Sequence, residues 1–103
     1  MAIKIETSSV ITIDIGGVAK QLASAPIAVT SVIIQAEYTN VGRISIGSAN
    51  VTSSTGIEIG PGDTFSLTVE SIKDIGELLL NDIYVVSNTA GDKVRVMIYR
   101  RKL

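Results

Sequence analysis

The sequence predicts an all-β fold: an antiparallel β-sandwich or a small barrel-like, jelly-roll-like domain of about eight short strands. Three observations carry this expectation. Ile and Val dominate a hydrophobic fraction of 46%, and β-branched side chains, stiff at χ1, fit a pleated sheet better than a helix. Short runs of apolar/polar alternation recur along the chain, the period of a half-buried strand. Gly, Pro, Asn and Asp interrupt these runs about every ten residues, as turns do in sandwiches. A length of 103 residues fits one domain with a modest core.

The elements follow in order. "AIKIET" (Ala2 to Thr7) alternates with Ile3 and Ile5 on one face. "SVITIDI" (Ser9 to Ile15) repeats the pattern with Ile11, Ile13 and Ile15, and Gly16-Gly17 then marks a tight turn. Residues 1–9 read either as an N-terminal arm that adds a strand to a neighbour or as the ordinary first strand of the domain's own sheet. "VAKQLASAPIAV" is less regular, and Pro26 makes it a loop or an edge segment. "SVIIQAEYT" (Ser31 to Thr39) is the clearest strand. Val32, Ile34, Ala36 and Tyr38 share one face, and Ile33 opposite them suggests that the second face is partly covered. "RISIG" (Arg43 to Gly47) turns Ile44 and Ile46 inward.

"SANVTSST" reads as a loop. In "GIEIGPGDTFSLTVE", Ile57 and Ile59 form a short strand, and Phe65, Leu67 and Val69 point inward on the next. Gly60-Pro61-Gly62 fits a turn with Pro at the first central position and Gly, at positive φ, at the second. "SIKDIGELLLND" has apolar residues three or four apart, but it is short and contains Gly76, so it reads as a loop or a single helical turn. "IYVVS" (Ile83 to Ser87) and "KVRVMIYR" (Lys93 to Arg100) are strands. "NTAGD" between them reads as a hairpin loop whose Gly and Asn supply unusual dihedrals.

Composition excludes several chemistries. The chain has no His and no Cys. Ser-His-Asp triads, imidazole ligands, thiol nucleophiles and disulfides are therefore out of reach, and the expectation is a non-enzyme without cofactor or metal. Asp14, Asp63, Asp74, Asp82 and Asp92 each lie beside a turn or a strand end, where Asp normally accepts from local backbone N–H groups. No D-x-D cluster suggests calcium. The glycines of "GRISIG" and "GPG" match no phosphate-binding loop. The basic end Arg100-Arg101-Lys102 is too small a field for direct nucleic-acid binding. Four aromatics are present: Phe65 reads as core, and Tyr38 and Tyr84 as packing residues with a wet hydroxyl. The start lacks the layout of a signal peptide and no apolar run reaches bilayer length, so the expectation is a soluble product of the cytoplasm with no membrane partner. Charged residues are 18% with net charge −1, below the roughly 25% of soluble domains. A surface so poor in charge favours association.

From Val29 to Tyr99, about seventy residues, the order of signals resembles small virion proteins of tailed bacteriophages. The carriers are Ile44, Ile46 and Gly47; Val51, Thr52 and Gly56; Ile57, Ile59, Pro61 and Gly62; Ile83, Tyr84 and Val85; Val94, Arg95 and Val96. The segment Ser71 to Leu80 departs from that pattern as an insertion, and the resemblance implies no contacts there. The resemblance implies a capsid decoration (cement) or head-fibre β-module, often trimeric. It would sit on the capsid exterior as a homotrimer and bind the major capsid protein. Under this reading the oligomer or capsid interface is assigned to Ile3, Ile5, Ile33, Tyr38, Tyr84 and Tyr99. The alternative is a receptor- or glycan-binding module of a fibre or tail tip, which a row of exposed aromatics or a loop carboxylate cluster would favour.

Overall fold

The computed structural model describes the backbone of residues 2–7, 10–68 and 78–102, and the side chains of residues 10–68 and 78–99. The fold is all-β and sandwich-like. The first sheet joins β1 (Ala2–Thr7), β2 (Ile11–Thr12), β5 (Ser31–Ala36), β8 (Thr64–Thr68) and β11 (Lys93–Lys102). Its order is β1-β11-β5-β8, and β2 pairs with the start of β11. The second sheet, in order β3-β10-β6-β7, joins β3 (Lys20–Gln21), β6 (Ile44–Gly47), β7 (Ile57–Ile59) and β10 (Tyr84–Val86). A two-stranded sheet pairs β4 (Ala28–Val29) with β9 (Leu78–Leu79). Every pairing is antiparallel.

Period-two alternation decides which residues enter the core. Val32, Ile34 and Ala36 of β5 and Val94, Val96 and Ile98 of β11 are buried. They pack in one cluster with Ile44 and Ile46 of β6, Ile59 of β7 and Val85 of β10. Ile13, Leu22, Leu80 and Ile83 join the same cluster from the segments beside the strands. Phe65 packs against it part-buried, as its alternation suggests. Ile33 is half-buried on the opposite face of β5, in line with the expectation of a partly covered second face.

The two tight turns form as their residues dictate. Asp63 N donates to Gly60 O at 3.0 Å, and Gly62 at the second central position takes φ +86°. Val18 N donates to Ile15 O at 3.2 Å across Gly16-Gly17. A Cβ on Gly16 would lie 2.3 Å from Asn88 O, so glycine there lets this turn press against the loop before β11.

Several expectations are corrected. Ile15 is exposed because the chain turns at once after Ile13, which ends the alternation. Tyr38 leaves the inward face because β5 stops at Ala36 and a turn closes from Asn40 N to Glu37 O at 3.0 Å. It is exposed and does not pack. Ile57 and Leu67 are also exposed, since among the described residues β7 and β8 are edge strands with a neighbour on one side only. Residues 88–92 do not close a hairpin: β10 and β11 belong to different sheets, so the segment crosses between them. Gly91 adopts φ +94° there, whereas Asn88 does not take positive φ. Leu78 and Leu79 form a strand rather than a loop, and a single 3-10 turn follows at Leu80–Asp82. Val69, Asp74 and the helical spacing within residues 71–77 lie outside the described residues.

β1 pairs with β11 of the same chain over six residues, from Ala2↔Lys102 to Thr7↔Met97. Its register differs by one from that of β2. Thr7 and Ile11 are four positions apart, and their partners Met97 and Val94 are three apart. The two pairings are thus offset by one residue. The offset changes which residues face which: Ile11 is the partner of the buried Val94, while Ile5 is the partner of Tyr99 on the opposite parity of β11.

Candidate functional site

The interface residues expected from sequence fall into three places. Ile33 and Tyr99 lie on the face of the first sheet that points away from the core. Met97, the register partner of Ile33, joins them. All three are half-buried in the single chain. Ile3 and Ile5 are the register partners of Arg101 and Tyr99; their side chains lie outside the described residues. Toward β8 the same face carries Thr64, Ser66 and Thr68, and Ser31 Oγ lies 3.1 Å from Thr68 Oγ1. Its described cations are Arg95, 3.6 Å from Glu37, and Lys93 at the start of β11. The result is a sheet face with an Ile/Met/Tyr centre, a hydroxyl border and little charge.

Tyr84 lies apart from this group, in β10 of the second sheet between Gln21 and Gly47. It is half-buried, which fits a packing tyrosine. Tyr38 lies on the connection from β5 to β6. The four aromatics are thus one exposed tyrosine, two half-buried tyrosines on different sheets and a part-buried Phe65, not a row.

Tyr38 belongs to an end of the molecule that the sequence did not mark. The strand directions bring four inter-sheet connections to this end. They are residues 13–19, 37–43, 60–63 and 87–92. Asp92, only 3% exposed, ties three of them together, 13–19, 37–43 and 87–92. Its Oδ1 accepts from Val41 N at 2.9 Å, and its Oδ2 accepts from Gly42 N at 2.9 Å and Ser87 Oγ at 2.8 Å. Asn40 clasps Lys93 twice: Nδ2 donates to Lys93 O and Oδ1 accepts from Lys93 N, both at 2.8 Å. Gly17 N donates to Ser87 O at 2.7 Å, and Ile13 N donates to Asp92 O at 2.8 Å. Asp92 is structural, as expected of a turn aspartate; Ser87 is a near neighbour in sequence, but the two backbone N–H groups it accepts from are about fifty residues away rather than local. Asp63 does bond locally, accepting from Gly60 N at 3.0 Å. Asp14 instead pairs with Lys20 at 2.6 Å on the surface.

Two other features bear on chemistry. An open depression of about 330 Å³ is lined by Gly47, Ser48, Asn50, Val51, Thr55 and Gly56, without a titratable side chain. Among the described residues no group of three or more Asp or Glu gathers as a metal site would require, and no helix is long and apolar enough to cross a membrane. What the surface offers is contact, through the outward sheet face and the loop end. Comparison of the chain with protein-family models, with curated proteins and with solved structures yields no match.

Proposed function

We propose that this chain is a bacteriophage virion structural protein, a capsid-decoration (cement) protein that assembles as a homotrimer on the outside of the head and stabilises the shell of major capsid protein. The observation that carries the reading is the outward face of the first sheet, with Ile33, Met97 and Tyr99 at its centre and Ser and Thr along β8. A face of this composition, in a chain with 18% charged residues, suits a contact between protein surfaces: apolar centre, polar rim, few charges to desolvate. Burying it between copies removes apolar area that a small domain leaves in water. A capsid lattice repeats one site many times, so modest single contacts add up through avidity. The resemblance of residues 29–99 to small phage virion modules points the same way.

The test is to mix the protein with undecorated expanded capsids of the phage that encodes it and to image the particles. Regular occupancy at three-fold or quasi-three-fold positions is the expected result. Bare capsids at saturating protein, with binding to a glycan array instead, would move the assignment to a receptor-binding module.

A further inference from the structure

Seven large hydrophobic side chains are exposed among the described residues, and four of them lie on the loop end. Val41 is 83% exposed, Tyr38 80%, Ile15 63% and Val18 54%. Tyr38 and Val41 share the β5–β6 connection, and Ile15 and Val18 flank the Gly16-Gly17 turn. Both connections are fastened to residues 87–93, one through Asp92 and Asn40, the other through Ser87. The four side chains therefore stand on fixed backbone. Preformed apolar anchors lose little conformational entropy on docking, and tyrosine is among the residues most often found at the energetic centre of an interface.

The charges around them are largely neutralised. Asp14 pairs with Lys20 at 2.6 Å, Arg43 with Glu58 at 2.6 Å, and Glu37 with Arg95 at 3.6 Å. Asp63 and Lys93 balance in sign. An anionic bilayer is recognised by an excess of Lys and Arg beside the apolar residues, and no such excess occurs here. An apolar centre with a neutral polar rim is the make-up of a protein–protein contact.

We infer that the loop end is the surface that docks on the capsid, placing Tyr38 and Val41, with Ile15 and Val18 beside them, in an uncharged apolar cleft of the major capsid protein. This rests on the reading of the chain as a virion protein. It divides the labour between two surfaces, the sheet face for self-association and the loop end for the lattice.

The experiment compares the full chain with a Tyr38→Ser/Val41→Ser variant and with an Ile15→Ser/Val18→Ser variant. Binding is measured on undecorated expanded capsids of the encoding phage, and each variant's thermal melt and solution mass are recorded. The expected result for Tyr38→Ser/Val41→Ser is a normal melt, unchanged solution mass and capsid affinity reduced about tenfold or more. A smaller loss is expected for Ile15→Ser/Val18→Ser. Electron microscopy of decorated capsids should place residues 38–41 against the shell. Affinity equal to that of the unaltered chain, or loops directed away from the shell, overturns the inference and leaves the virion reading standing. Failure of the unaltered chain to bind capsids overturns both. Binding of the unaltered chain to phosphatidylcholine vesicles that is lost in Tyr38→Ser/Val41→Ser also overturns it, by giving the end to a membrane.

Discussion

Asp92 and Gly62 show how single residues hold this fold. The Asp92 carboxylate accepts three hydrogen bonds, two from the β5–β6 connection and one from Ser87 of its own, while almost completely buried. Asp92→Ala leaves those three donors without a partner in a space water enters poorly. The expected cost is about 3 kcal/mol or more, read as a fall in the urea midpoint at unchanged slope. Asp92→Asn keeps the shape but turns an N–H₂ toward one set of donors, so its expected cost is smaller. Equal stability of all three proteins would show that the knot contributes nothing. Gly62 poses a different demand. A Cβ there would meet only Tyr38 Cβ at an ordinary 3.6 Å, so space is available and φ +86° decides. Gly62→Val is expected to cost about 1–2 kcal/mol, with a lower melting temperature. An unchanged melt would mean that the turn relaxes to negative φ without loss.

At the scale of elements, β11 organises the first sheet. Over its ten residues it pairs with β5 on one side and with β2 and β1 on the other. Residues 100–102 extend past the end of the β5 pairing, and among the described residues their strand pairing is with β1. The buried cluster of described residues is built from Ile13 to Ile98. Removing Met1–Thr7 is therefore expected to leave a folded, cooperatively melting core. It should strip protection from the amides of Met97 to Lys102, seen as faster hydrogen exchange there. Self-association should weaken as well if the sheet face near Tyr99 is the contact. Loss of all far-ultraviolet β signal on truncation would instead make β1 indispensable to folding. This element was partly legible. "AIKIET" announces a strand, but the one-residue offset between the registers of β1 and β2 cannot be read from alternation, because a register exists only relative to a partner strand.

For the whole molecule, the expected solution species is a trimer of three times the 10.8 kDa chain mass. Light scattering from micromolar to millimolar protein checks it, and a monomer mass throughout that range would count against self-association by the sheet face. The all-β class, the shared inward face of Val32, Ile34 and Ala36 and the strand at Lys93 to Arg100 follow from the chain alone, as does the Pro61-Gly62 turn. β-branching, alternation and turn chemistry are properties of neighbouring residues, and they act wherever the strand ends up. The placement of β10 and β11 in different sheets, the gathering of four connections at one end and the fifty-residue reach of Asp92 had no such local sign. Nor did the exposure of Ile15, Ile57 and Leu67, whose residue types and spacing match those of buried neighbours. Burial depends on which strand lies alongside and which sheet lies opposite. Of the four apolar residues at the loop end, Val41 and Val18 left a trace, set among turn residues outside any alternation, whereas Tyr38 and Ile15 continue the alternation of the strands before them. Only the tertiary structure brought them to the same end, because antiparallel strands alternate in direction and each sheet returns its connections to common ends.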